Sequence, residues 1–367
     1  MTLNRLLTTL KRLWLALRGP TPVPVRIRAT VDPLEPRQHL AADPLPVRVM
    51  TQNLSYGAGT GLDLFAGAAT GALWDNIQHS DFPARAAQIA KEVDAARPDF
   101  IGLQEAVIWR TGSLLDLGDA SDVKYDFTKI LINALGQRGL WYRAVSKSTN
   151  ADIAFPGQVD GSLKTIRMTD QDVVLARVKR GARAEVLDTD HGNYDTTFDL
   201  SIPVLGDQPF TRGWAAVDAR MADGGRAFRF VTTHLDAFDS SVRDAQATEL
   251  LEGPASSLKV PVIVAGDFNA APGSNPFSAM ADANFYDAWT WTHGNAPGPT
   301  GTQSSSLDNR NSTLSARIDA VFFRGKRTGA TAADTVGDTT ADKTPSGLWP
   351  SDHAGVTSTI SLNRRKR

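Results

Sequence analysis

Apolar and polar positions alternate along most of the chain with a period near two, and only a few stretches carry a helical period. Val47, Val49 and Thr51 point one way along a strand that ends at Asn53. From Asp81 to Arg97 the period changes: Ala86, Ile89, Ala90 and Val93 fall on one face of a helix, closed by Pro98-Asp99. Phe100-Ile101-Gly102-Leu103-Gln104-Glu105 is a short buried strand ending in a carboxylate. A second helix is predicted near Tyr125–Arg138, and strands at Trp141–Val145, Asp172–Val178, Trp214–Ala219 and Phe228–Thr233. Ser240–Leu251 is helical. Val262-Ile263-Val264-Ala265-Gly266-Asp267 is an apolar, β-branched buried strand, and strands at Ile318–Phe323 and Val356–Ile360 close the pattern. Two stretches read as long loops, Gly57 to Ser80 and Thr328 to Pro345. The apolar residues of the first, Leu62, Leu64, Phe65, Leu73 and Trp74, suit a packed loop or an apolar lip over a site.

Strands outnumber helices and short turns separate several of them. This predicts an α+β fold in which two mixed, mostly antiparallel sheets pack together with helices outside, a four-layer α/β/β/α sandwich. The domain runs over residues 46–362. Residues 1–45 are different: Leu3, Leu6, Leu7, Leu10, Leu13, Trp14 and Leu17 recur at helical spacing between Arg5, Lys11, Arg12 and Arg18. That is a basic amphipathic leader or a disordered tail. Its basic residues break every apolar run, which argues against a membrane span and leaves surface attachment through residues 3–18 or export. Asp32-Pro33-Leu34-Glu35-Pro36-Arg37-Gln38-His39-Leu40-Ala41-Ala42 is similar to a short element near the N-termini of some exported bacterial proteins. The expected location is therefore exported or, failing that, cytoplasmic.

Composition removes some chemistries. The chain has 367 residues, 41% apolar and 22% charged, with no cysteine and a net charge of −1. Disulfides, thiolate metal sites and a cysteine nucleophile are excluded. No global positive field draws the protein onto nucleic acid.

Four predicted strand ends carry polar groups: Asn53, Glu105, His234-Leu235-Asp236 and Asp267-Phe268-Asn269. On an extended strand residues i and i+2 share a side, so Asp267 and Asn269 are expected to face one ligand. Arg317-Ile318-Asp319 and Ser351-Asp352-His353 complete a set of carboxylates, carboxamides and two histidines. Hard oxygen ligands suit Mg²⁺, with Mn²⁺ or Ca²⁺ as alternatives, and a histidine beside a carboxylate suits acid–base work. Together they fit attack of water on a phosphate ester.

In these motifs the sequence resembles the endonuclease/exonuclease/phosphatase superfamily from about Val47 to Ile360. The motifs are Gln52-Asn53, Gly102-Leu103-Gln104-Glu105, Thr233-His234-Leu235-Asp236, Gly266-Asp267-Phe268-Asn269, Arg317-Ile318-Asp319 and Ser351-Asp352-His353, in the family's order. The resemblance implies that Glu105 ligates a divalent cation with Asn53 beside it and Asp352 as a second metal-side carboxylate. Asp267 and Asn269 would hold the attacking water and the scissile phosphate. His353, oriented by Asp319, would touch the phosphate as base or stabiliser, and His234 would donate to the phosphate or leaving group. Asp172 stands where relatives pair an acid with that histidine, and Arg212 would contact phosphate. The implied activity is metal-dependent hydrolysis of a phosphoester, most plainly a diester of nucleic acid or of a phospholipid head group, with no obligate protein partner. A nuclease, a sphingomyelinase-like enzyme and a catalytically dead binding module are the alternatives. Deoxyribonucleases carry an arginine two residues after the metal-ligand glutamate, where this chain has Val107, so duplex DNA is not the favoured substrate.

Overall fold

The computed structural model describes residues 46–59, 67–114, 120–179, 182–202, 206–222 and 225–362, together with residues 8, 11 and 12. The amphipathic leader therefore lies outside the described residues, apart from Thr8, Lys11 and Arg12, which are helical. Leu62, Leu64 and Phe65 also lie outside them.

Two sheets form the centre. The first has eight strands. Its path runs β15 (Gly329–Val336), β16 (Gly355–Ser361), β1 (Val47–Asn53), β2 (Phe100–Gln104), β6 (Ser162–Arg177), β3 (Ile108–Gly112) and β4 (Asp122–Asp126), and β5 (Tyr142–Val159) pairs with β6. The second runs β13 (Tyr286–Asp287), β14 (Asp319–Arg324), β12 (Val262–Asp267), β11 (Ala227–His234), β10 (Gly213–Met221) and β7 (Ala184–Asn193). Among the described residues, only β1 with β2 and β11 with β12 pair in parallel. A separate hairpin joins β8 (Phe198–Ile202) to β9 (Gly206–Phe210).

Alternation along each strand explains the layers. In β12, Ile263 and Ala265 enter the core between the sheets, with Val49, Phe100, Val217, Phe230 and Val321. Val262 and Val264 face the other way, under α4 (Ser240–Glu252) and α5 (Asn275–Asp282), with Leu250, Phe277 and Met280. Helices α1 (Ala72–His79), α2 (Phe82–Ala96) and α3 (Phe127–Gln137) cover the outer face of the first sheet over Met50, Ile101, Leu103 and Leu175. A last short helix, α6 (Ala288–His293), follows β13. The arrangement is the expected α/β/β/α sandwich.

The sheets approach closely at Gly102, where an added Cβ would stand 2.3 Å from Thr232 Oγ1 of the opposite sheet. Beside it, Gln104 Nε2 donates to Thr232 Oγ1 at 2.7 Å and Thr51 Oγ1 donates to Gln104 Oε1 at 3.1 Å. This polar seam leads from the dry interior to the strand ends.

Three local expectations are corrected. The stretch from Thr328 to Pro345 is not a loop throughout: Gly329–Val336 is edge strand β15, paired along β16, followed by a 3₁₀ turn at Thr340–Asp342. Its apolar residues are mostly alanines, too small to mark a strand by hydrophobicity. Gly57 to Ser80 contains α1, whose Leu73, Trp74 and Ile77 are buried, so these three are packed rather than a lip. Strands β5 and β6 are far longer than their apolar segments, because two neighbours in a hairpin satisfy each other's backbone groups beyond the hydrophobic core.

Candidate active site

The polar groups sit where the two sheets end side by side. Across three neighbouring strands, His234 pairs with Asp267 and Asp267 pairs with Asp319, so the register itself lines up the three side chains. From the first sheet, Asn53 ends β1 and Glu105 follows β2 with a left-handed backbone (φ 53°), which turns its carboxylate back toward the seam. Asn53 Nδ2 joins the two sheets, lying 3.1 Å from Glu105 Oε1 and 3.1 Å from Asp267 Oδ2. Glu105 Oε2 accepts from the Tyr56 backbone N–H at 2.8 Å.

The Ser351-Asp352-His353 turn closes the opposite side. Ser351 Oγ donates to the Asn53 carbonyl at 2.7 Å, and the His353 N–H donates back to Ser351 Oγ at 3.2 Å. His353 Nδ1 lies 2.8 Å from Asp319 Oδ2 and 3.7 Å from Asp267 Oδ2. Asp319 is held from behind by Thr300 Oγ1, which accepts its N–H at 2.9 Å. Arg317 is no partner of Asp319. It reaches Asp287 at 2.7 Å.

Beneath the turn lies a charge that periodicity did not reveal. Arg85, fully buried on the inner face of α2, donates to the carbonyls of Ser80, Leu54, Pro350 and Ser55. It ties the segment after β1 to the segment that carries Asp352 and His353.

Electrostatics follow burial. Glu105 is pushed up to about 8, first by desolvation and then by the nearby Asp352 carboxylate. Asp267 is pushed up to about 6 by desolvation and by Asp319. Burial alone would depress His353, but Asp319 and Asp267 outweigh it and hold the imidazole well above its usual value. A cluster of desolvated carboxylates raised in this way lacks positive charge, and a divalent cation would supply it. Asp267, Asp319 and His353 offer ligand atoms within 4.8 Å of one another. Within this trio the short contact joins His353 Nδ1 to a carboxylate that can only accept, so Nδ1 carries a proton and is unsuited to bind a metal. Glu105 and Asp352, the expected metal-side carboxylates, are near enough for Asp352 to raise the Glu105 carboxyl.

Asn269 departs from the expected i, i+2 geometry. Strand β12 ends at Asp267, Asn269 adopts a left-handed conformation (φ 46°), and its Nδ2 donates to the Leu235 carbonyl at 3.0 Å. Its backbone N–H caps Asp267 Oδ1 at 2.8 Å, so the pair remains coupled through the main chain.

The expected partnership of Asp172 with His234 is overturned. Asp172 Oδ2 accepts from Asn150 Nδ2 at 3.1 Å, and burial with the neighbouring Asp170 raises its pKa. His234 Nδ1 instead meets Arg212 Nη1 at 3.0 Å, while His234 Nε2 stands 3.5 Å from Asp267 Oδ2. Arg212 is 2% exposed, its guanidinium over the Phe210 ring and its Nη1 within 3.5 Å of Asp170 Oδ2 and 3.4 Å of the Tyr56 hydroxyl. Asp170 and Tyr56 were not singled out from sequence. The only signal for Asp170 was its place two residues before Asp172 on the same strand face.

A four-layer sandwich with carboxylates, carboxamides and histidines converging at the ends of both sheets defines a class of phosphoester hydrolases. Residues 73–353 match the model of the endonuclease/exonuclease/phosphatase family, and the chain belongs to that family. Solved structures of the same fold include a family protein from Bacteroides thetaiotaomicron (18% identity, 87% of this chain and 98% of that one, TM-score 0.54). A mannosyl-6-phosphatase from the same organism gives 18% identity over 86% of this chain and 99% of that one, with TM-score 0.53. A family protein from Beutenbergia cavernae gives 20% identity over 87% and 72%, with TM-score 0.52. No curated protein matches the sequence. The protein is accordingly a hydrolase of phosphoester bonds.

Proposed function

We propose that the protein is a divalent-metal-dependent phosphodiesterase acting by in-line attack of water. The observation that carries this reading is the Asn53 bridge: one carboxamide nitrogen contacts Glu105 on one sheet and Asp267 on the other. It holds a metal-side carboxylate and a water-side carboxylate on either side of one carboxamide nitrogen, each 3.1 Å from it. Glu105 and Asp352 would hold the cation, for which Mg²⁺ suits the oxygen donors best. The bound ion would neutralise phosphate charge and polarise the P–O bond. Asp267, backed by the Asn269 amide, orients the water. His353, oriented by Asp319, faces the phosphate with a positive charge, and His234 donates to it from the other side.

Val107 supports a substrate other than duplex DNA. It is 0% exposed in the core beneath α3, so nothing at this position reaches into a groove. A mannosyl-6-phosphatase of the same fold keeps phosphomonoesters in the test panel. The experiment compares bis-p-nitrophenyl phosphate, p-nitrophenyl phosphate, RNA, sphingomyelin and a sugar 6-phosphate, with Mg²⁺ and with EDTA. Turnover of diesters that stops in EDTA and in Glu105→Gln is expected. Faster turnover of monoesters, or hydrolysis indifferent to EDTA, refutes the proposal.

A further inference from the structure

The two histidines of the mouth differ in what their Nδ1 atoms face. His353 Nδ1 faces a carboxylate oxygen, Asp319 Oδ2 at 2.8 Å, which can only accept. His234 Nδ1 faces a guanidinium nitrogen, Arg212 Nη1 at 3.0 Å, which can only donate. A ring nitrogen at that distance from an obligate donor must offer its lone pair. The single proton of the His234 ring then belongs on Nε2, the atom that stands 3.5 Å from Asp267 Oδ2.

The guanidinium is not free to turn away. Its Nη1 is also within reach of Asp170 Oδ2 and the Tyr56 hydroxyl, its plane lies over Phe210, and the Arg212 carbonyl accepts from the Tyr194 N–H at 2.9 Å. Asp170 is in turn held by the Tyr56 hydroxyl and by Asn150. Asp170, Tyr56, Arg212 and His234 are all buried. The charged and titratable groups facing the imidazole are Arg212 and, behind it, Asp170 and Tyr56 on one side, with Asp267 and His353 on the other. A second proton on Nδ1 would point straight at a cation.

We propose that Arg212, anchored by Asp170 and Tyr56, fixes His234 as a neutral imidazole carrying its proton on Nε2. His234 thereby gives the substrate phosphate a hydrogen bond and transfers no proton to the leaving group. Arg212, Asp170 and Tyr56 are positioning residues in this scheme. The role toward phosphate rests on the phosphodiesterase reading, whereas the tautomer does not.

The test is long-range ¹H–¹⁵N correlation NMR on the full chain with ¹⁵N-labelled histidine, the His234 signals being those missing from His234→Asn. An unprotonated Nδ1 and a protonated Nε2, unchanged from about pH 5.5 to 8, are expected. In Arg212→Met the Nδ1 signal should begin to titrate, and Arg212→Lys, which keeps a donor, should restore the fixed pattern. A proton on Nδ1, or an imidazolium in the wild type, overturns the proposal. The kinetic arm compares a p-nitrophenyl diester with an alkyl diester. His234→Asn should slow both by the same factor. A loss larger on the alkyl ester by about tenfold or more is the behaviour of a general acid and also overturns it. If the phosphodiesterase reading fails, the wild type turns over no diester while the NMR result stands, so the two failures are distinct.

Discussion

Asn53 Nδ2 lies 3.1 Å from Asp267 Oδ2, a contact between the end of β1 in one sheet and the end of β12 in the other. With the second bond to Glu105, it makes one amide group the spacer between two carboxylates that would otherwise repel. Asn53→Ala should lower kcat by about 10²–10³, the scale of losing one positioned donor in a water-poor site. Asn53→Asp should be worse, because it puts a third buried carboxylate between Glu105 and Asp267. Steady-state kinetics on bis-p-nitrophenyl phosphate with matched circular dichroism checks both.

Asp319 orients His353 and stabilises its charged form. Asp319→Asn should reduce kcat by about 10²–10⁴ while leaving KM within a small factor, since it removes orientation rather than substrate contact. Equal activity of this variant would exclude the Asp319–His353 pair from catalysis.

In the metal-free protein, stability should fall as pH rises from about 4.5 to 8. Glu105 and Asp267 have raised folded values, about 8 and about 6, so the native state binds more protons than the unfolded chain across that window. Unfolding then becomes easier with each step upward in pH. The His353 pair acts in the same direction: its contribution is complete below the ordinary histidine range and is lost as pH rises through its elevated folded value. Adding Mg²⁺ should flatten the trend, because a cation replaces the proton on Glu105 and its charge lowers the neighbouring carboxyls. Calorimetric melts across pH with EDTA or Mg²⁺ measure this.

Glu92 offers a test remote from the chemistry. It is buried on α2, neither carboxylate oxygen has a hydrogen-bond partner among the described residues, and desolvation with Asp342 and Asp338 raises its pKa. Glu92→Gln should raise the melting temperature at pH 7. The gain should vanish below about pH 4, where the unfolded glutamate is protonated too.

Arg85 should resist every substitution. Arg85→Leu leaves four carbonyls without their donor and should cost about 3–5 kcal/mol in stability, as breaking buried charged networks does. Arg85→Lys should recover only part of that, since one ammonium cannot span acceptors on both sides of the turn. Urea unfolding gives the comparison.

The sequence carried more of the chemistry than of the architecture around it. Asn53, Glu105, His234, Asp267, Asp319 and His353 were readable because each ends or begins an apolar strand, where a polar residue stands out. Asp170 was hidden because β6 turns polar well before its apolar segment begins. There, periodicity could not say whether Asp170 or Asp172 lay nearer the histidine. Arg85 was hidden for the opposite reason: an arginine between apolar helix positions is read as surface, and only the carbonyls converging on it reveal a buried anchor. Strand β15 escaped because its alanines and threonines carry almost no hydrophobic contrast, and its place is set by backbone pairing with β16.

That pairing has a consequence for the protein's biosynthesis. Strand β16 lies between β15 and β1, joining one of the last segments of the domain to its first, and His353 is delivered just before it. A nascent chain that has already made Glu105, His234 and Asp267 still lacks both the strand that seats β15 and the imidazole facing Asp319. The phosphoester-hydrolysing site is thus incomplete until the segment carrying His353 and β16 has been made and paired.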